Sequence, residues 1–204
     1  MSRRKTNPST IGCGGKGTGK FCSGEDRQLK TYGAIVRHYR KHYQPSADSN
    51  LQFYTQLPTL DEALRRAAYA ETANGKRNPH QYRLKKSNLK KVHDRLKRRN
   101  LADCATFHEL FEMAEEAIGD INGIGELMVY DTAHRLGAYL KRPPEKVYLH
   151  AGVRVGAAAL GFEKSRKWLE PAELPKPFQQ LTAQQMEDCL CIYKHDLQAI
   201  PNKK

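Results

Sequence analysis

Three residue pairs, Thr59 with Glu62, Thr106 with Glu109 and Thr182 with Gln185, have capping-box spacing, and each stands just ahead of an apolar repeat at helical intervals. After Thr59 the repeat is Leu60, Ala63, Leu64, Ala67 and Ala68, with Asn74-Gly75 expected to stop the helix. After Thr106 it is Phe107, Leu110, Phe111, Ala114 and Ile118, with Gly119 placed to end it. The third pair leads into Met186, Leu190 and Ile192 or Tyr193, with Cys189 and Cys191 as small apolar core residues. Strand-like alternation is sparse. The expected fold class is therefore all-α: a multi-helix domain over 28–197, with a flexible basic Gly/Lys-rich arm at 1–27 and a tail at 198–204.

Further helices are expected between these anchors. Leu29 to Tyr43 forms a first helix, ended by the Pro45-Ser-Ala-Asp-Ser loop. Asn78 as N-cap and Pro79 in the first turn open a helix running to 99, with Leu84, Val92 and Leu96 inward. Pro143-Pro144 ends the helix that begins after Gly125 and opens another, closed at Gly161. Prolines 171, 175 and 177 space a connector that Trp168 anchors on the domain.

Charge narrows the partners. The net charge is +13, yet residues 1–100 hold 23 Lys/Arg against 7 Asp/Glu, while 101–204 are slightly acidic. A basic half beside a near-neutral one is the footprint of a polyanion binder; a solubilising surface without a partner is the alternative. The helix expected at 79–99 concentrates that charge in Arg83, Lys85, Lys86, Lys90, Lys91, Arg95, Lys97, Arg98 and Arg99, with Asp94 the one interrupting acid. Such self-repulsion is offset when phosphates lie along it. His80, Gln81 and Tyr82 at its start suit stacking or hydrogen bonding, and equally capping and packing. Neither a secretory signal nor a run long enough to span a bilayer is visible, and five scattered cysteines do not read as a disulfide framework. The expectation is a soluble cytoplasmic, nucleoid-associated protein.

The segment Ile121-Asn122-Gly123-Ile124-Gly125 lies between two expected helices, so that 107–141 forms one helix–connection–helix unit. It resembles the hairpin of helix-hairpin-helix DNA-binding proteins, whose pattern is apolar-x-Gly-apolar-Gly. Two glycines let the backbone approach a ligand closely, and the following helix aims free N–H groups at the same place. The resemblance implies that Gly123, Ile124 and Gly125 grip the backbone of double-stranded DNA without reading sequence. The plain alternative is a tight turn in a helical bundle.

A weaker resemblance, over about 107–162, is to the helix-hairpin-helix base-excision DNA glycosylases. Val147-Tyr148-Leu149-His150-Ala151, then Arg154 and Leu160-Gly161, correspond to the family's Val-Asp-Thr-His-Val segment and its following Arg and Leu-Gly. The family's catalytic Asp falls on Tyr148, and the lyase Lys on Leu127. The resemblance thus implies a fold and a DNA-contacting Arg154, while the usual catalytic groups are missing. Replacement candidates are Asp131, Tyr148 and His150, with Asp131 coupling to His134 or His150. The competing reading pairs Asp131 with Arg135 or Arg154 and leaves the tyrosines in the core.

Other signals are slighter. Gly14-Gly15-Lys16-Gly17-Thr18-Gly19-Lys20 opens like a P-loop, but Phe21 stands where Ser or Thr is needed, so no nucleotide cofactor is expected. Cys13, Cys22, His38 and His42 would make a zinc quartet, with good His spacing and a cysteine pair set too far apart; free thiols and solvated histidines are the default. Charge alone argues equally for RNA or the ribosome as partner. The small residues Gly152, Gly156 and Ala157 to Ala159 would also suit a protein-interaction helix.

Overall fold

The computed structural model describes residues 29–201, so the basic arm, the P-loop-like stretch, Cys13 and Cys22 lie outside the described residues. Within them the chain is mostly helical: α1 Tyr32–His42, α2 Gln44–Thr55, α3 Leu60–Ala68, α4 Lys86–Leu96, α5 Phe107–Ile118 and α6 Glu126–Leu140. There follow β1 Val147–Tyr148, α7 Ala151–Ala159, β2 Trp168–Leu169, α8 Ala183–Ile192 and α9 Lys194–Ala199. All three capping threonines serve as N-caps, and Thr182 with Gln185 completes the reciprocal box, whereas Glu62 turns to Arg65 and Arg66 and Glu109 to the Ala105 amide. Thr59, Thr106 and Thr182 accept from the amides three residues on, at 3.2, 3.2 and 3.3 Å.

Two apolar cores share the work. The first joins Leu64 and Ala67 of α3, Leu89, Val92 and Leu96 of α4, Phe107 and Leu110 of α5, and Val129, Ala133 and Leu136 of α6. The second joins Ile35, Val36 and Tyr39 of α1 to Val153 of α7, Leu190 of α8 and Leu197 of α9. The first helix thus returns to the last ones. Tyr39 donates to Asp188 Oδ2 at 2.6 Å, and Arg40 holds Gln180. In the two-residue strand β1, Val147 belongs to the second core and Tyr148 to the first. Successive strand side chains face opposite ways, so one peptide step stitches the cores together.

Several expected boundaries are corrected. Pro45 starts a helix instead of ending one, because its missing N–H costs nothing in the first turn of α2. The helix from Thr59 ends at Ala68; Ala70 takes φ 55°, and Asn74-Gly75 instead forms the tip of a small excursion closed by a Glu71–Arg77 bridge. The single helix expected at 79–99 is broken. Pro79–Gln81 forms a 3₁₀ turn, and the Arg77 guanidinium takes the carbonyls of Tyr82 and Leu84 at 3.2 and 2.8 Å, so α4 begins only at Lys86. Leu89 joins Val92 and Leu96 as its inner stripe, with Leu84 packed at the edge. Beyond Pro144 the chain forms β1, paired antiparallel with β2 (Val147 with Leu169, Tyr148 with Trp168), and the helix waits until Ala151. Trp168 is thereby tied to the body through that pairing, with Lys146 over its ring.

Helix α7 crosses α8 at very short range. A Cβ on Gly156 would stand 2.1 Å from the Leu190 carbonyl oxygen, so only glycine permits this approach.

Candidate nucleic-acid interface and adjoining cleft

The connection between α5 and α6 is tight and mostly self-contained. Ile121 N donates to the Ile118 carbonyl at 3.2 Å and Ile124 N to the Ile121 carbonyl at 2.8 Å. Ile121 and Ile124 are buried, while Asn122, Gly123 and Gly125 face solvent. The reversal needs Gly123 at φ 86°, where a Cβ would also meet Asn88 Nδ2 at 2.9 Å. Gly125 is the N-cap of α6 in ordinary extended geometry, with open space around it. The amides of Gly123, Gly125, Glu126 and Leu127 find no acceptor among the described residues, as expected where a helix begins.

Helix α4 is docked on this connection. Asn88 Nδ2 donates to the Asn122 carbonyl at 2.7 Å. Arg95 donates to the Ala117 carbonyl at 3.1 Å and pairs with Asp120, and Arg99 pairs with Glu116 at 3.0 Å. The basic helix and the glycine connection therefore form one surface. Arg98 and Lys91 are exposed on it, Lys91 three residues from Asn88 and so on the same flank of α4; Lys86 and Lys90, two residues from Asn88, are exposed on the far flank, where Asp94 holds Lys90 at 2.6 Å. A shallow groove beside the connection is lined by Arg95, Arg98, Arg99, Glu116, Ala117 and Asp120. Arg95 is thus partly occupied in bracing the connection, and Arg83 bonds the neighbouring Tyr82 hydroxyl at 2.7 Å.

On its other flank the connection borders a cleft of about 260 Å³ between the two cores. Phe111, Glu115, Gly119 and Glu126 line one side, Leu149, His150, Arg154 and Lys167 the other, and Val129, Tyr130 and Tyr148 lie between. Arg154 belongs to this rim. It reaches across to Glu126 at 2.9 Å and holds the carbonyls of Lys164 and Arg166 at 2.8 and 2.6 Å. Lys167 reaches Glu115 at 3.0 Å, so two ion pairs bridge the rim.

Of the three catalytic candidates, the structure brings Tyr148 and His150 to this cleft and leaves Asp131 outside it. Asp131 opens on a smaller recess with His80, His134 and Arg135. Its Oδ2 accepts from His80 Nε2 and Gln81 Nε2, both at 2.8 Å, and from Arg135 at 3.2 Å. Burial alone would raise its pKa, but Arg135 and His80 outweigh that and hold the carboxyl below its usual range. The Asp131–Arg135 pairing agrees with the structural alternative; neither His134 nor His150 is its partner in a hydrogen bond. Tyr148 shares a hydrogen bond with His108 Nδ1 at 3.0 Å, and burial pushes its hydroxyl pKa up.

His150 has a partner that sequence reasoning does not find. Its Nε2 lies 2.6 Å from Glu187 Oε1, and both side chains are buried. Burial by itself would lower the imidazole pKa, but the facing Glu187 carboxylate overcomes it, and the net direction is upward. The remaining nitrogen, Nδ1, and the buried hydroxyl of Tyr130, whose ring centroid is 5.5 Å away, have no hydrogen-bond partner among the described residues. The one signal for Glu187 is a carboxylate set within the apolar stripe of Met186 and Leu190.

Of the four residues of the zinc reading, His38 and His42 are among the described ones. His38 and His42 stack at 4.3 Å, and His38 Nδ1 bonds the Tyr193 hydroxyl at 2.9 Å. No group of three or more metal-ligating side chains occurs among the described residues. Nor is any described helix long and apolar enough to cross a membrane. In comparisons with protein-family models, curated proteins and solved structures, nothing matches this chain.

Proposed function

We propose that the protein binds nucleic acid, duplex DNA in the first place, along the surface made by the 119–125 connection and α4. The observation that carries this reading is the Asn88–Asn122 hydrogen bond, which fixes the flank of α4 that carries Lys91 and Arg98 beside a glycine turn and the free amides of a helix start. Backbone N–H groups and cations at one place suit phosphate oxygens, and neither element selects a base. The reading calls for no cofactor.

Binding of a fluorescent duplex across a salt series tests it. The affinity should fall steeply with salt, and Lys91→Ala/Arg98→Ala should lower the slope by about 0.9 for each phosphate that is no longer neutralised. A flat salt dependence, or an unchanged slope in the variant, would move the grip elsewhere. Competition by a structured RNA of equal charge decides between DNA and RNA.

A second reading is favoured by the unpartnered atoms of the cleft. A planar base extruded from the duplex would meet aromatic walls, and a shift of those walls would bring it to the buried, unpartnered Tyr130 hydroxyl and His150 Nδ1, the last held in orientation through Glu187. In that reading the protein is an enzyme of the glycosylase type with relocated acid–base groups, His150 acting at the base and Glu187 positioning it. Abasic product in single-turnover reactions on duplexes bearing modified bases, lost in His150→Gln with binding retained, supports it. Product formation unaffected by His150→Gln would remove His150 from the chemistry.

A further inference from the structure

Tyr82 is the large apolar side chain that stands out of the surface: among the described residues it alone is strongly exposed, at 59 %. The backbone that carries it is built to keep it there. On one side Gln81 is 2 % exposed, its amide donating to Asp131 and its carbonyl oxygen accepting from Arg135, both at 2.8 Å. On the other side Leu84 packs on the first core. Arg77 clamps the carbonyls of Tyr82 and Leu84 between them. This is the segment where the sequence pattern calls for a continuous helix, and the helix is interrupted for these contacts.

The ring is also braced by one cation, and two more follow in the sequence. Arg83 Nε donates to the Tyr82 hydroxyl at 2.7 Å, and the guanidinium carbon lies 5.3 Å from the ring centroid. Lys85 and Lys86 follow, both exposed. At no more than about 3.6 Å per residue, their Cα atoms lie within about 14 Å of that of Tyr82, a span over which one strand of DNA presents about four phosphates. An aromatic face with cations beside it is the arrangement that holds a nucleobase by stacking and its flanking phosphates by charge.

We propose that Tyr82 is a stacking platform for an unpaired nucleobase, so that the protein prefers nucleic acid with a gap, a bulge or a single-stranded stretch over continuous duplex. The inference rests on the nucleic-acid reading above and adds the structure of the preferred substrate. In continuous duplex both faces of each base are already covered by neighbours, so the ring has a partner only where stacking is interrupted. A fixed backbone with two side-chain torsions loses little freedom when such a base docks.

The test uses the full chain and three DNA probes of equal phosphate number: continuous duplex, the same duplex with a one-nucleotide bulge carrying 2-aminopurine, and a single strand. A parallel single strand of RNA tells whether the sugar matters. Wild type should bind bulged and single-stranded probes more tightly than duplex, with quenching of the aminopurine. Tyr82→Ala should weaken those two probes by about 5- to 100-fold, leave duplex within about twofold, and abolish the quenching. Tyr82→Phe and Tyr82→Trp should keep the preference, since stacking needs the ring and not the hydroxyl. Loss in Tyr82→Phe equal to that in Tyr82→Ala would make Tyr82 a hydrogen-bond donor to phosphate and overturn stacking. Equal effects of Tyr82→Ala on duplex and bulge, or none on either, would overturn it as well. Salt-sensitive binding in which the bulged and single-stranded probes ignore Tyr82→Ala as fully as the duplex does would sink this inference alone, whereas no binding of any probe by wild type would sink the reading beneath it.

Discussion

The side-chain amide of Asn88 reaches from α4 to the carbonyl of Asn122 at 2.7 Å, tying the most basic helix of the protein to its glycine connection. Asn88→Ala removes that tie without changing a charge. The freed carbonyl is exposed and finds water, so the cost in stability should be about 1 kcal/mol. If α4 and the connection act as one phosphate-binding surface, affinity for duplex should fall several-fold while the salt slope stays as in wild type. Denaturant unfolding and salt-dependent binding, run together, check both halves.

Gly123 and Gly125 should respond differently to substitution although the sequence pattern treats them alike. At φ 86° and with Asn88 Nδ2 2.9 Å from any added Cβ, Gly123→Ala should cost about 1–3 kcal/mol and distort the connection. Gly125 has φ −99°, ψ 173° and open space, and it caps α6. Serine is at home there, so Gly125→Ser should leave stability unchanged or slightly raised. It still places a side chain where the backbone would approach a phosphate. Loss of duplex binding in this stable variant is the cleaner sign of close backbone contact, and full binding would place the phosphate elsewhere.

Gly156 sets the second core. With the Leu190 carbonyl oxygen 2.1 Å from a Cβ position, Gly156→Ala must push α7 away from α8. We expect more than about 2 kcal/mol of destabilisation, in the range of overpacked cores. Gly161→Ala, also in the α7 region, meets no neighbour but inherits φ 93°, so it should cost about 1 kcal/mol from backbone strain alone. Equal thermal shifts for the two would contradict the close crossing.

What the sequence discloses follows from what is local. Capping threonines and apolar stripes depend on residues three and four apart, and Thr59, Thr106 and Thr182 start helices as their spacing says. The break at 82–85 is not local. It exists because Asp131 and Arg135 on α6 draw His80 and Gln81 inward from fifty residues away, and because Arg77 claims carbonyls a helix would use. The same limit hides the candidate site. Tyr148 and His150 are legible as polar residues in a helical context, but the Glu187 beside His150 comes from α8, and no pattern in either segment announces the pair. The strand at Val147–Tyr148 reads as helix because its partner, Trp168–Leu169, lies beyond the whole of α7.

Two histidines bound the pH range of stability from opposite sides. Burial drives His134 down from 6.5 to about 4, against the pull of Asp131 and a hydrogen bond to Gln184. Its folded form therefore resists the proton that the unfolded chain accepts, and stability falls as pH drops from about 6.5 toward 4, by at most about 3 kcal/mol. His150 has the contrary sign. Its pKa lies above 6.5 because Glu187 outweighs the effect of burial, so its contribution is complete below that value and is lost as pH rises through the folded pKa. Stability should peak near neutrality. His134→Gln should flatten the acid limb above pH 4 while leaving the steeper loss that follows when Asp131 protonates. His150→Gln should flatten the alkaline limb and lower the plateau, since Glu187 is then left buried without its cation. Denaturant midpoints from pH 4 to 9 for the three proteins decide the matter: parallel curves would mean that neither histidine titrates as its surroundings dictate.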